Sequence, residues 1–410
     1  MSRILVVNQY FPPDQSATAA IANDVVQALG AAGHDVTVLA GRPSYGVQGS
    51  SVWGWRSVHP AKQLRVIRVA SAAFSRDHMA GRITNYLSYM LFAFCEALCI
   101  RTDLVLTMTD PPLTVVLGAV LAGILRVPFI YNPRDIHPDM AVASGMAPAG
   151  VATQFWDWMH RRAARRAALV IALGEDMRTR LMAKGISPQR IVVIRDGARA
   201  VEPPSDSSSP QSTSVLSASA KRSSPFVLMH AGNIGFAGAW ESLFAAVSEL
   251  AVEGVSLIVV GDGALRSTVV DMAAHLSNVR FVPAVPKPQF TALLNQADLH
   301  LVTLREGLEG LVVPSKLYPL LFAGCPILAI VPESSDVARI VRNFCCGWVA
   351  SPSNPSDITA AVRDAIQNPA ELSARGKRAR KAAPSFDRDA LLMHYVRAVE
   401  TVLAATNRPP

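Results

Sequence analysis

Two α/β halves, each built on a mostly parallel sheet, are the architecture this sequence predicts, and three observations predict it. Short β-branched runs recur along the chain with helical patterns between several of them. Strand, helix, strand in that order requires crossovers and hence parallel pairing. One stretch rich in Ser, Pro and Thr, Val201 to Ser224, interrupts the alternation. The length, 410 residues, suits two or three domains at about 100 to 200 residues each.

In the first half the strand runs are Ile4 to Val7, Val36 to Leu39, Arg65 to Val69, Leu104 to Thr107, Pro128 to Tyr131, Leu169 to Leu173 and Ile191 to Ile194. Between the first two, Ile21, Val25 and Leu29 recur at i, i+4 and i+8, and Gly33-His34 supplies a stop, so a helix is predicted over Ala17 to Gly33. The second half restarts with Phe226 to His230, Val255 to Val260, Val279 to Val282, Leu299 to Leu304, Ile327 to Val331 and Trp348 to Ala350. The boundaries expected are a first Rossmann-like domain over 1–198, a linker over 199–225 and a second Rossmann-like domain over 226–386. A last helix, 387–405, carries Leu391, Tyr395, Val396, Val399 and Leu403 on one side and can pack on either half, including back onto the first. Ligands of open α/β sheets bind outside the carboxyl ends of the strands, so the two sheets are expected to face a central cleft.

Half the residues are hydrophobic and 17% are charged, which excludes a disordered chain, and the net charge of +8 suits acidic partners. Five cysteines in no C-x-x-C or Cys/His spacing give no metal site and read as buried free thiols in a reducing cytoplasm. The start, MSRILVVNQYFPP, has too short an apolar run for a signal peptide and reads as a first strand. The most apolar run, Leu113 to Leu125, falls short of the roughly 20 residues of a spanning helix.

The loops narrow the chemistry. No G-x-G-x-x-G follows the first strand, where the turn reads Asn8-Gln9-Tyr10-Phe11-Pro12-Pro13-Asp14, so a nicotinamide or flavin enzyme is disfavoured. Neither a P-loop nor a nucleophile elbow occurs. In the second half Phe226 to His230 runs into Ala231-Gly232-Asn233-Ile234-Gly235, and a later strand into Gly261-Asp262-Gly263. Small residues at such turns let backbone N–H groups face an anion, although plain tight turns would look the same. Pro319 is tolerated only in a first helical turn, so a helix should begin near Ser315 and Lys316 and place a hydroxyl and a cation at one end, suited to a diphosphate. Glu306 and Glu309 precede it. In the first half Asn132-Pro133-Arg134-Asp135-Ile136-His137-Pro138-Asp139 follows a strand, so Arg134, Asp135 and His137 should emerge at the cleft to position hydroxyls or move a proton; an Arg-Asp pair capping the strand is the alternative. Asp110-Pro111-Pro112 and Arg42-Pro43-Ser44-Tyr45 follow other strand ends. The sequence HRRAARR stacks Arg161 over Arg165 and Arg162 over Arg166, like charges that phospholipid headgroups or a lipid diphosphate would compensate, or nearby acids.

Taken in order, Tyr10-Phe11-Pro12-Pro13-Asp14, Gly33-His34-Asp35-Val36-Thr37-Val38, Arg134-Asp135-Ile136-His137-Pro138-Asp139, Gly232-Asn233-Ile234-Gly235, Gly261-Asp262-Gly263, and Val313-Pro314-Ser315-Lys316-Leu317-Tyr318 with Ala323-Gly324-Cys325-Pro326 resemble a family 4 glycosyltransferase of the GT-B fold, close to bacterial enzymes of O-antigen and surface polysaccharide assembly. The resemblance covers nearly the whole chain. It implies sugar transfer from a nucleotide donor with retention at the anomeric carbon, no cofactor and no bound metal. The acceptor, a glycan or a sugar on polyprenyl diphosphate at the inner face of the cytoplasmic membrane, would lie against the first half.

By the same resemblance Gly232, Asn233, Gly235, Gly261, Gly263, Ser315, Lys316 and Tyr318 would hold the nucleotide sugar, Arg134, Asp135, Glu309 and Lys316 would be catalytic, and Asp14 and His137 would meet the acceptor. Nucleic acid is not an expected partner. Two positions depart from the pattern: Pro319 stands where a ribose-binding Glu is common, and Phe236-Ala237-Gly238-Ala239 where a cation is common. Glu309 or Glu306 would replace the carboxylate and Lys316 the cation. A non-catalytic GT-B-shaped binding subunit and a nucleotide-sugar epimerase stay open as alternatives.

Overall fold

The run Ile4 to Val7 is apolar on both faces, which suits a strand covered on both sides. It forms β1 (Arg3–Val7), inside an eight-stranded sheet. The computed structural model describes residues 1–43, 56–61, 64–72, 74, 79–200, 225–285 and 287–406. From β1 the chain passes through α1 (Ala17–Ala31), β2 (Asp35–Ala40), β3 (Arg56–Ala61), β4 (Leu64–Val69), α2 (Met79–Ala97), β5 (Leu104–Thr107) and α3 (Thr114–Leu125). It continues with β6 (Phe129–Tyr131), α4 (Asp139–Ala143), α5 (Val151–Ala164), β7 (Leu169–Ala172), α6 (Glu175–Ala183) and β8 (Ile191–Val193). The order in the sheet is β3-β4-β2-β1-β5-β6-β7-β8, parallel throughout except for β3 against β4. The sequence gives no signal for β3, which carries Pro60; a strand with proline belongs at a sheet edge, where β3 lies.

The second sheet begins with β9 (Phe226–Ala231), followed by α7 (Trp240–Leu250), β10 (Val255–Val260), α8 (Arg266–Met272), β11 (Val279–Val282), α9 (Lys287–Leu294) and β12 (Leu299–Thr303). Then come α10 (Leu317–Ala323), β13 (Ile327–Ile330), α11 (Asp336–Asn343), β14 (Gly347–Ala350), α12 (Pro355–Gln367), α13 (Pro369–Ala382) and α14 (Arg388–Thr406). The six strands run parallel in the order β11-β10-β9-β12-β13-β14. The strands step one way from β9 to β10 and β11 and the other way from β12 on, so β9 and β12 flank the switch point where open sheets bind ligands. In the first sheet β1 and β5 flank the corresponding point.

Two compact units result, Met1–Asp196 with Asp389–Pro410, and Gly197–Arg388. Helix α14 belongs to the first: Tyr395, Val396, Val399 and Leu403 share a core with Ile4, Val6, Val25, Val26 and Leu29. Most of the linker expected over 199–225, with Ser44 and Tyr45, lies outside the described residues. The cysteine expectation is corrected. All are free, but only Cys325 and Cys346 are buried, whereas Cys95, Cys99 and Cys345 are exposed. Cys95 shares a helical face of α2 with exposed Leu91, turned away from buried Tyr89, Ala93 and Ala97, and Cys99 lies in the turn that follows the helix.

Candidate functional site

In the second unit the loops after β9, β10 and β12 come together because those strands are neighbours. Gly232 ends β9 with φ at 148° and Gly261 ends β10 with φ at 136°, backbone conformations that favour glycine. The two turns are packed on each other: a Cβ on Gly261 would lie 2.0 Å from the Gly232 carbonyl oxygen, and one on Gly263 2.4 Å from Asn233 Oδ1. Their amides are largely committed to the fold. Gly232 N–H donates to Val260 O at 2.9 Å, Ile234 N–H to Asp262 O at 2.9 Å, Gly261 N–H to Val282 O at 3.0 Å, and Gly263 N–H to Asp262 Oδ1 at 2.8 Å. The amides of Gly232, Gly261 and Gly263, which were expected to face an anion, thus have partners within the protein. Asn233, with an exposed side chain, and Gly235 are left as candidates in these turns. Trp240 fixes the loop by donating Nε1–H to Gly235 O at 3.1 Å.

Lys316 comes to this place from the far side of β12. Arg305 N–H donates to Ala237 O at 2.8 Å, which joins the start of the Glu306–Glu309 segment to the first glycine loop. The helix α10 starts after Lys316, with Pro319 in its first turn as expected. Lys316 Nζ lies 2.9 Å from His230 Nε2, and a Cβ on Gly232 would lie 3.5 Å from Lys316 Cε, so the amine arches over the end of β9. Burial lowers its pKa to about 7. Burial first, and then Lys316, push His230 well below the ordinary histidine value, so its ring is neutral. The His230 ring, whose centroid is 4.8 Å from that of Trp240, is held in place. The sequence reading missed His230; the signal was a histidine at the inward end of an apolar run.

The other residues of this group separate. Ser315 is exposed beside Lys316. Tyr318 is 1% exposed, with its ring centroid 5.5 Å from that of Phe386. The amides of Leu317 and Tyr318 donate to Pro314 O and Ser315 O, so the helix start turns them inward. Glu309 is half-buried in the segment before α10.

In the first unit Arg134 and Asp135 follow β6, and both amides donate to Thr109 Oγ1, at 2.6 and 3.3 Å. The Arg134 guanidinium is paired with Asp196, both side chains nearly buried, and not with its neighbour Asp135 as a capping pair within the motif would be. Burial works against its charge, but Asp196 and then Asp135 keep it protonated. Burial raises Asp135 to about 6, with Arg134 acting in opposition. Asp14 is 5% exposed, with Oδ2 accepting from Phe11 N–H at 3.4 Å and Arg68 beside it. His137 is likewise buried, stacked on Trp156 at 5.5 Å, and burial lowers it to about 4. Both were expected to meet an acceptor, and both are buried in this structure. Among the described residues, no group of three or more His, Cys, Asp or Glu is placed to hold a metal ion.

Comparison with known proteins matches each half of the chain to a family description. The family description "Glycosyl transferase 4-like domain" matches residues 16–197, and "Glycosyl transferases group 1" matches residues 216–382. The chain is 25% identical over 87% of its length to a probable glycosyltransferase, WbjE, of Pseudomonas aeruginosa, covering 87% of that protein. It is 21% identical over 90% of its length to the putative colanic acid biosynthesis glycosyl transferase WcaI of Escherichia coli, covering 93% of it. Among solved structures, Anabaena HepE in complex with UDP-glucose superposes with a TM-score of 0.66 at 16% identity, over 98% of this chain and all of that one. The architecture is GT-B.

Proposed function

Since the chain belongs to the group 1 glycosyltransferases, with a glycosyl transferase 4-like first half, we propose that it works in polysaccharide biosynthesis, as the names of its relatives suggest, and that it moves a sugar from a nucleoside diphosphate donor, with retention, to a glycan or polyprenyl-diphosphate-linked acceptor. The observation that carries the reading is the Lys316 amine over Gly232 at the switch point of the second sheet, beside neutral His230. A diphosphate there would draw a proton onto Lys316, and the resulting ammonium would neutralise the charge that grows on the departing nucleotide. HepE, a fold neighbour, binds UDP-glucose, which supports a nucleotide sugar as the donor class. Asp135, poised near neutrality, would face the transferred sugar while Arg134, tied to Asp196, positions it. The acceptor's proton would pass to a donor phosphate oxygen, so no protein base is required.

A thermal-shift titration with UDP, GDP, ADP and dTDP tests the donor site. One nucleotide should raise the Tm of the wild type by several degrees at about 100 times its Kd, and Lys316→Met should lose that shift together with most of kcat. Equal shifts and turnover in wild type and variant would remove Lys316 from the mechanism. Release of nucleoside diphosphate only when a polyprenyl-linked acceptor is added would separate transfer from a binding subunit and from an epimerase.

A further inference from the structure

In β9, Phe226-Val227-Leu228-Met229-His230-Ala231, the histidine carries the only polar side chain, and it is fully buried. An apolar residue would fill the same place with no hydrogen bond to find, whereas a buried imidazole is tolerated where its nitrogens are partnered. The Lys316 amine lies beside the ring, 2.9 Å from Nε2 and 3.4 Å from Nδ1. The ring also has a hydrogen bond with the backbone of Asn233, of the kind that favours protonation, so there the ring donates. With Nε2 accepting from Lys316, Nδ1 is the nitrogen left to hold the proton. One ring thus ties the amine to the first glycine loop.

What Lys316 lacks is as telling. Among the described residues no carboxylate pairs with its amine, and His230 is its polar side-chain partner. A carboxylate in that place would hold the ammonium but cancel its charge and repel an incoming diphosphate. A neutral imidazole accepts the same hydrogen bond and cancels nothing. Burial and the lysine itself keep His230 neutral, and the Trp240 ring packs against it. Gly232 leaves the amine its room: a Cβ there would lie 3.5 Å from Lys316 Cε and 3.7 Å from Nζ. The charged side chains on the neighbouring segments are Glu241 on α7, Asp262 after β10, and Arg305, Glu306 and Glu309 after β12.

We propose that His230 is the positioning residue of Lys316, a neutral acceptor tied to the Asn233 backbone that holds the ammonium over Gly232 and leaves its whole charge to the diphosphate of a nucleotide donor. The proposal rests on the reading of Lys316 as the cation of the donor site and goes beyond it, because it assigns what fixes the place and the proton of that amine. The neighbouring charges are the same in the wild type and in variants of His230, so a comparison between them isolates the ring.

Two measurements need no nucleotide. In imidazole 15N spectra of the wild type, His230 should be neutral at pH 7 with its proton on Nδ1; a proton on Nε2 would overturn the proposal, since that nitrogen then cannot accept, and this test depends on no variant. With lysine labelled at 13Cε, and Lys316→Met to assign the signal, the Lys316 amine should titrate at about 7 in the wild type. His230→Phe keeps a ring against Trp240 but removes the acceptor, and should lower that midpoint by about one to two pH units; His230→Gln, whose amide oxygen accepts, should restore it. An unmoved midpoint in His230→Phe would overturn the proposal. UDP, GDP, ADP and dTDP are then titrated at pH 6 and pH 8. The nucleotide that binds should lose about tenfold or more in affinity at pH 8 in His230→Phe and less at pH 6, whereas an equal loss at both would mark a merely structural role and overturn the proposal. Affinity that requires Lys316 yet is the same in His230→Phe as in the wild type would overturn it and leave the donor-site reading standing. Binding of none of the four would remove that reading, and the role of His230 with it.

Discussion

Lys316 is the residue at which stability and proposed function oppose each other. Its amine titrates near 7 in the fold against 10.5 for the free side chain, so between those values the unfolded chain binds the extra proton. The destabilisation from burying the charge is fully present below about pH 7 and is relieved as pH rises toward 10.5. Lys316→Met should therefore stabilise the nucleotide-free protein at pH 7, by about 1 kcal/mol or about 2 to 4 °C in Tm, while abolishing nucleotide binding. In the wild type, nucleotide affinity should fall by up to about tenfold per pH unit above 7, because the bound anion then has to recruit a proton. Calorimetry in two buffers of different ionisation enthalpy measures that uptake, and affinity independent of pH between 7 and 9 would contradict it. At Arg134 the expectation is structural: Arg134→Ala leaves Asp196 buried without its partner and should cost about 3 to 5 kcal/mol in urea melts, with part recovered on adding Asp196→Ala. The residue types of these sites were legible in the sequence, but their partners were not. Arg134 and Asp196 are 62 positions apart, as are no two charges in the motif itself, and His230 meets Lys316 across 86.

At the scale of elements, the loops after β9 and β10 show how close packing decides what a glycine is for. Gly261→Ala would place its Cβ 2.0 Å from the Gly232 carbonyl oxygen, with φ at 136°. The backbone strain alone is about 1 to 3 kcal/mol, and the clash adds to it, so the variant should unfold at markedly lower urea concentration. Gly254→Ala is the matched comparison, with positive φ but nothing within 4 Å of the added atom, and should cost only about 1 kcal/mol. Comparable losses in the two would show that the packing of the two turns contributes little. The spacing of these glycines pointed to tight turns and also to anion binding. Only the position of Gly232 under Gly261 shows that most of the amides serve the fold, since the strand order that makes them neighbours is not written in either loop.

On the scale of the whole molecule, each unit has its own sheet and core, so ligand effects should be local to a unit. Hydrogen exchange with a bound nucleotide should protect 230–235 and 305–318 and leave β1, β5 and β6 of the first unit at their ligand-free rates; protection confined to the first unit would relocate the donor site. The sequence by itself determined the parallel α/β character of both halves, because apolar runs of strand length separated by helical periods have few other solutions. It also determined the motif order that marks the glycosyltransferase family. The tertiary structure alone decided that α14 completes the first core, since its apolar stripe fits any apolar face and the sequence names none. It alone paired Arg134 with Asp196, buried Asp14, His137 and Tyr318, and set Lys316 against His230. Burial and pairing are properties of neighbours in space, and a local sequence pattern fixes only which side of its own element a residue lies on.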